Sequence, residues 1–159
     1  MNLFDSTFDP ALDLKLERVV PVSPDLVWKA WTDPEHMVHW FVPKPWKCVS
    51  VELDLRPGGT FHSVMQSPEG ETFENPGCYL LIEEGKQLVF TDALLPGFRP
   101  SSEPFMTASV SVDAHPDGTK YTAIAKHTSE AKRQEHEEMG FHDGWSTVLD
   151  QLVEYIQSL

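Results

Sequence analysis

The spacing of apolar residues changes once along this chain, and that change constrains the fold more than any other feature. Over most of residues 11–127, apolar and polar residues alternate in short runs, as they do in half-buried β-strands. After about residue 130, apolar residues recur at steps of three and four, which predicts one long helix of about 25 residues. Its apolar stripe comprises Trp145, Val148, Leu149, Leu152, Val153, Ile156 and Leu159, and its solvent face Asp150, Gln151, Glu154 and Gln157.

Two helix starts lie ten residues apart between residues 21 and 40. Ser23 can cap a helix that has Pro24 at its first position, and Asp33 and Pro34 repeat the arrangement. Each start therefore opens a helix of about two turns. The same stretch carries three aromatic residues, Trp28, Trp31 and Trp40. We predict two short helices that lie across the end of a sheet, directly after the first strand.

The alternating runs predict seven strands. They cover residues 11–20, 46–55, 60–66, 77–82, 87–92, 106–112 and 119–127. A Pro-Gly-Gly turn at 57–59 joins two of them, and the proline-rich segment 93–104 is predicted as a loop over one end of the sheet. The fold class is therefore α+β: a curved seven-stranded antiparallel sheet around one long C-terminal helix. The 159 residues form one domain, with residues 1–10 as a flexible N-terminal extension.

Charge and cysteine content narrow the classes of partner. The formal net charge is −13, so nucleic acid and anionic membranes would repel the protein. We find no apolar run of the roughly 20 residues that a membrane span needs and no signal peptide at the N-terminus. Cys48 and Cys78 are too few for a disulfide framework, which predicts free buried thiols and a cytoplasmic protein.

Four segments carry a resemblance to a known family. They are residues 27–35, residues 39–41, residues 53–61 with Arg56-Pro57-Gly58-Gly59, and residues 140–152 with Gly144-Trp145. Together they resemble the START/Bet v 1-like (SRPBCC) superfamily, and within it the bacterial homologues of the activator of heat-shock-protein-90 ATPase. The resemblance covers nearly the whole chain from about residue 12. It implies a helix-grip fold with a deep hydrophobic cavity, a design that serves lipid carriers, cyclases, hormone binders and chaperone activators.

The lining of that cavity can be predicted from strand alternation combined with the resemblance. Phe61, Ser63 and Met65 share one strand face, which the family pattern directs inward, and Ala108 is a further candidate. Core packing without a ligand is the alternative interpretation of such residues. The predicted ligand-binding residues are Trp40, Phe61, Met65, Tyr79, Phe90, Asp92, Met106, His127, Met139, His142 and Trp145.

Three of these residues could also carry chemistry. His127, His142 and Asp92 could form a proton-transfer group inside an apolar cavity, although hydrogen bonding of a histidine to backbone is the simpler interpretation. His136 and His142 are six residues apart, which does not match the four-residue spacing of a zinc-binding HExxH helix. We predict neither a metal nor a cofactor.

Gly140 and Gly144 are four residues apart in the predicted long helix. Glycine costs helix stability, so it should provide room in return, either for close packing or for a ligand.

Two classes of function remain open. One is a binding or carrier protein for a small apolar or amphipathic molecule. The other is a cyclase- or hydrolase-type enzyme that uses the same cavity. A co-chaperone-like interaction module is a separate alternative. The sequence favours binding, because it contains no catalytic constellation of recognised spacing. A homodimer and a protein partner are both compatible with the sequence.

Overall fold

Residues 2–159, which this computed structural model describes, form five helices and ten strands. The helices are α1 Leu3–Ser6, α2 Pro24–Thr32, α3 Pro34–Met37, α4 Glu130–Glu138 and α5 Phe141–Gln157. The strands are β1 Asp13–Val20, β2 Lys47–Leu53, β3 Phe61–Gln66, β4 Thr72–Asn75, β5 Cys78–Glu83, β6 Gln87–Thr91, β7 Leu94–Leu95, β8 Arg99–Pro100, β9 Thr107–His115 and β10 Gly118–Lys126. The α+β class is confirmed.

The strands form two main antiparallel sheets instead of one seven-stranded sheet. The larger sheet has the order β1-β10-β9-β6-β5, and the smaller one the order β2-β3-β4. An isolated bridge between Thr60 and Cys78 connects the two. The division falls at Pro76 and Gly77, because proline lacks the N–H that would continue the ladder and glycine lets the chain bend. After this bend β5 pairs with β6.

Two pairings were not predicted from the sequence. All four residues of β4 are exposed, so the strand has no apolar alternation, and it forms because β3 offers a free edge. The predicted loop at 93–104 contains the short β7–β8 hairpin. Both elements depend on backbone hydrogen bonds, which leave little trace in residue type.

The two short helices after β1 are confirmed, and so is the chemistry of their starts. The Ser23 hydroxyl accepts a hydrogen bond from the Leu26 N–H, and the Asp33 carboxylate accepts one from the Glu35 N–H. These bonds satisfy donors that a helix start leaves free. The buried residues of α2 are Val27, Ala30 and Trp31, which face the core.

The core lies between the concave face of the larger sheet and α5. Ala108 pairs with Ala125 across β9 and β10, and both are fully buried. Small residues in the central strands let the helix approach the sheet closely. The helix contributes Leu149, Leu152 and Ile156 to the same cluster of buried residues. Side chains therefore pack directly across the space in which the sequence predicted a deep cavity.

The predicted long C-terminal helix is two helices. Gly140 has a φ of 97°, a left-handed conformation that glycine adopts readily, and it separates α4 from α5. The two helices have 9 and 17 residues. A continuous helix of about 25 residues is therefore wrong, because periodicity in sequence does not reveal a single residue that reverses its backbone angle.

The N-terminal residues lie on the outer face of the larger sheet, where the sequence predicted a flexible extension. The Lys126 ammonium donates to the carbonyl of Phe4 and lies over its ring at 4.3 Å. The side chains of Asn2 and Asp5 both bond to Gln87, which is 4% exposed. The segment is held because it satisfies polar groups on that face.

Within residues 2–159, none of the helices is both long enough and apolar enough to span a membrane.

Candidate functional site

Six aromatic rings form one continuous cluster at the end of the core, and four of them belong to residues predicted to bind a ligand. Phe61 is central: its ring centroid lies 5.2 Å from that of Tyr79 and 4.8 Å from that of Phe90. Trp40 lies 5.0 Å from Trp31. Here α2 and α3 meet both sheets. The aromatic cluster consists of Trp31, Trp40, Phe41, Phe61, Tyr79 and Phe90.

Two polar atoms in this cluster have no hydrogen-bond partner among residues 2–159. They are the Trp40 indole Nε1 and the Tyr79 hydroxyl, on side chains that are 1% and 0% exposed. By contrast, Trp31 Nε1 donates to the Tyr121 hydroxyl at 3.1 Å. Burial raises the pKa of Tyr79, so its hydroxyl stays protonated and can donate. An unpartnered buried donor costs free energy, so each marks a position where an acceptor would be favourable.

A cleft of about 380 Å³ lies under the loop that follows β6. Its carboxylates are those of Glu74, Asp92 and Glu103, and none of the described residues that line it is basic. Asp92 holds the loop in place, because its Oδ1 accepts hydrogen bonds from the N–H groups of Phe105 at 2.7 Å and Met106 at 3.0 Å. The remaining lining residues are Asn75, Pro76, Leu95, Ser101 and Ser102.

The cleft adjoins the aromatic cluster through neighbouring strand positions. Asp92 follows Phe90 by two residues along the chain. Asn75 pairs with Ser63, which follows Phe61 by two residues and is 2% exposed. Alternate residues of a strand point to the same face, so Asp92 and Ser63 extend from the same side of their strands as Phe90 and Phe61. The cleft is thus lined by residues that follow or pair with the strands of the aromatic cluster, although none of the six rings lines it.

The proposed proton-transfer group of two histidines and Asp92 does not assemble. His127 Nδ1 bonds to the Leu12 carbonyl at 2.8 Å, and its Nε2 lies 2.8 Å from Nδ1 of His136. His142 Nε2 lies 3.5 Å from a carboxylate oxygen of Glu137. In the described chain, Asp92 bonds to backbone and to neither histidine.

The other predicted lining residues occupy different surroundings. Met139 is 68% exposed beyond α4, and the His142 side chain is 53% exposed, so both lie outside the core. The prediction that both residues point inward depends on a continuous helix, and the break at Gly140 removes that condition. Trp145 is half-buried, with its ring centroid 5.1 Å from that of Phe141. Met65 and Met106 are also half-buried, and Ala108 is fully buried.

Several residues of the region were not predicted. The sequence assigns Trp31 to the short helices and Phe41 to a family-like segment without predicting that either lines the site, although the number of aromatics in 28–41 was a usable signal. The cleft residues Glu74, Ser101 and Glu103 lie in polar segments without periodicity. Their association depends on the pairing of β4 with β3 and on the course of the loop.

The two cysteines are buried and unpaired in the described chain, as predicted. Burial raises the pKa of the Cys48 thiol to about 11 and raises that of Cys78 as well. Both thiols are therefore protonated and weakly reactive at neutral pH. Among residues 2–159, the histidine, cysteine and carboxylate side chains form no group of three suited to a metal ion.

Comparison with known structures supports the fold assignment. A crystal structure of a protein from Nitrosomonas europaea has 46% sequence identity, a TM-score of 0.92 and coverage of 95% of this chain and 97% of that one. A Rhodobacter sphaeroides protein has 17% identity, a TM-score of 0.83 and coverage of 96% and 97%. The AHSA1-like protein from Aeromonas hydrophila has 20% identity, a TM-score of 0.69 and coverage of 92% and 93%. The last two likenesses show the fold alone.

Comparison with sequence families identifies the family of the chain. No curated protein matches the chain. Residues 21–157 match the family described as activator of Hsp90 ATPase homolog 1-like protein, which agrees with the resemblance inferred from the sequence. The match covers the short helices α2 and α3, every strand except β1, and both α4 and α5. The chain therefore belongs to the activator of Hsp90 ATPase homolog 1-like family.

Proposed function

We propose that this protein binds a small amphipathic molecule, with the polar end of the ligand in the cleft and its apolar part against the aromatic cluster. The observation that carries the proposal is the cleft of about 380 Å³, whose lining residues neighbour the cluster along the strands, since ligand sites have volumes of roughly 300–1,000 Å³. Entry of the apolar part requires aromatic side chains to move, because the cluster is packed in this structure. The compartment we propose is the cytoplasm, supported by the two unpaired cysteines.

The groups of the region indicate what the ligand should carry. Glu74, Asp92 and Glu103 would repel an anionic end and attract a cationic or hydrogen-bond-donating one. Deeper in, the unpartnered donors of Trp40 and Tyr79 favour a ligand with an acceptor such as a carbonyl or ether oxygen. An amine or alcohol with an apolar body therefore fits better than a fatty acid.

The test begins with native mass spectrometry of freshly purified protein, to detect a ligand that co-purifies. Dodecylamine, dodecanol and dodecanoate, which share one chain length, are then titrated while tryptophan fluorescence is followed. We expect the amine to bind at least about tenfold more tightly than the carboxylate, the equivalent of ~1.4 kcal/mol. Equal affinities would refute the assigned role of the three carboxylates, and no saturable binding of any probe would refute the proposal.

A pair of variants locates the site. Ser102→Phe fills the cleft, whereas Ser50→Phe adds the same ring at an exposed position of β2. We expect Ser102→Phe to abolish the fluorescence response and Ser50→Phe to retain it. Binding that survives in Ser102→Phe would place the ligand elsewhere.

The family description favours a second candidate, stimulation of a chaperone ATPase through protein contact. The direct test is the ATPase rate of a bacterial Hsp90-type chaperone with and without this protein. Stimulation that also persists in Ser102→Phe would support the interaction function independently of ligand binding.

A further inference from the structure

Helix α4 is held to the rest of the protein by an unusual anchor. All nine of its residues are described, and His136, 7% exposed, is the one that is buried. A second attachment is the hydrogen bond from Arg133 Nε to the Ala11 carbonyl at 3.2 Å. Most surface helices dock through an apolar stripe. Here a titratable ring takes the place of that stripe.

The hydrogen bonds of His136 have a defined direction. The Leu12 carbonyl can only accept, so Nδ1 of His127 must carry the proton that it donates. In the neutral ring, Nε2 of His127 is then an acceptor, and His136 Nδ1 must donate to it. The bonds run from His136 through His127 to Leu12. This arrangement uses one N–H of each ring.

A first proton on the pair leaves the hydrogen bond between the rings intact, so its cost is that of burying a charge, whereas a second proton also breaks the bond. A singly charged pair keeps one N–H between the rings, with the other ring as acceptor. When both rings are charged, two N–H groups face each other across 2.8 Å, and the bond is lost. The ring centroid of His136 also lies 4.6 Å from that of Phe105 and 5.2 Å from that of Phe141. A charge on His136 is poorly solvated in this apolar surrounding.

The charged groups around His136 do not compensate such a charge. Within the described chain, no carboxylate lies within ion-pair distance of His136. The Glu137 carboxylate is 2.7 Å from Arg133 and 3.5 Å from His142, so it is already paired. Titratable groups on the surrounding elements include His127 before α4, Arg133 and Glu137 on α4, His142 on α5, and Asp9 and Asp13 beside Leu12, and the other charged residues of α4 are exposed.

We propose that α4 is an acid-released flap, which leaves the protein surface when His136 becomes protonated, with the chain bending at Gly140 after the helix and at residues 128–129 before it. Gly140 suits a hinge, because it has a φ of 97° and no described heavy atom would lie within 4 Å of an added Cβ. Release uncovers the rings of Phe105 and Phe141 at the end of the core. The release of α4 does not depend on whether the proposed ligand binds.

The direction of the pH effect follows from linkage. Burial, with a smaller contribution from the nearby His127, lowers the pKa of His136 from 6.5 to about 4. The released helix therefore binds a proton that the docked helix does not bind between these values. The docking equilibrium is at its most favourable above about pH 6.5 and weakens by up to about tenfold per pH unit below it, until about pH 4.

Hydrogen exchange of the full-length protein tests the flap. Protection factors, corrected for intrinsic exchange, are measured for residues 130–138 between about pH 7.5 and about pH 4.5, with residues 145–157 as internal reference. We expect protection of α4 to fall at least about tenfold while that of α5 stays constant. Constant protection of α4 in the wild-type protein, or a parallel loss in both helices, would overturn the proposal.

Two variants connect the release to one ring. His136→Gln keeps an amide that can donate to His127 but cannot be protonated near neutral pH, whereas His142→Gln alters the exposed histidine nearby. We expect the pH dependence of α4 to disappear in His136→Gln, whether its helix is docked or released at neutral pH, and to persist in His142→Gln. A wild-type pH response in His136→Gln, or its loss in His142→Gln, would assign the proton to another group.

Discussion

Two buried tyrosines differ in whether their hydroxyl has a partner. The Tyr121 hydroxyl accepts the hydrogen bond of Trp31 Nε1, whereas the Tyr79 hydroxyl has no partner among residues 2–159. We expect Tyr121→Phe to cost about 1–3 kcal/mol, because it leaves the buried indole N–H unpaired. Tyr79→Phe should be neutral or stabilising. Urea unfolding monitored by circular dichroism measures both, and a cost for Tyr79→Phe comparable to that for Tyr121→Phe would show that its hydroxyl is bonded in solution.

Trp145 and Leu152 lie on the same stripe of α5 but differ in burial. Leu152 is 0% exposed, whereas Trp145 is half-buried at the end of the core. We expect Leu152→Ala to cost about 3–4 kcal/mol and Trp145→Ala about 1–2 kcal/mol, because part of the indole surface stays in water in the folded state. Paired urea melts give the comparison. A larger loss for Trp145→Ala would mean that its ring is more deeply buried than the structure indicates.

At the scale of elements, two glycines four residues apart should respond in opposite directions to alanine. Gly140 has a left-handed backbone, so Gly140→Ala should cost about 1–2 kcal/mol. Gly144 lies inside α5, and no described heavy atom would be within 4 Å of an added Cβ. Gly144→Ala should therefore stabilise the protein by about 0.5–1 kcal/mol. Thermal melts of both variants check the signs, and stabilisation by Gly140→Ala would contradict the helix break.

A single side chain ties the loop before β2 to α5. Gln151 Nε2 donates to the carbonyls of Trp40 at 3.0 Å and Val42 at 2.8 Å, and its Oε1 accepts from the Lys44 N–H at 2.9 Å. We expect Gln151→Ala to cost about 1–3 kcal/mol and to raise proteolysis of the loop. The exposed Gln157 on the same helix is the control, since its replacement by alanine should change stability by less than about 0.5 kcal/mol. Equal changes in stability for the two replacements would show that the hydrogen bonds of Gln151 do not hold the loop.

At the scale of the whole molecule, the net charge of −13 opposes compactness. Repulsion among carboxylates is long-ranged at low salt, and the Debye length falls from ~30 Å at about 0.01 M to ~8 Å at about 0.15 M. We therefore expect the urea midpoint at neutral pH to rise between these two NaCl concentrations. An unchanged midpoint would show that the local ion pairs offset the net repulsion.

The sequence by itself determined the features that depend on local chemistry. The caps Ser23 and Asp33 fixed the two short helices, because a side-chain oxygen can satisfy helix N–H groups only from that position. Strand alternation fixed the α+β class, since a period of two gives each strand an apolar face. The family-like segments gave the family. For the candidate site, the sequence indicated Trp40, Phe61, Tyr79 and Phe90, because large aromatic residues on inward faces concentrate in the core.

Only the tertiary structure decided which elements share each face. Alternation tells which side chains point inward but not which strand lies beside them, so the bend at Pro76 and Gly77 and the edge strand β4 were not predictable. Gln151 was predicted to be solvated, yet its side chain hydrogen-bonds to the loop between α3 and β2. His136 has no sequence signal of burial either. Its environment is created by Phe105, which is distant in sequence, and by His127 and Phe141, which are near in sequence but reach His136 only because of the turn at Gly140 and the position of α4.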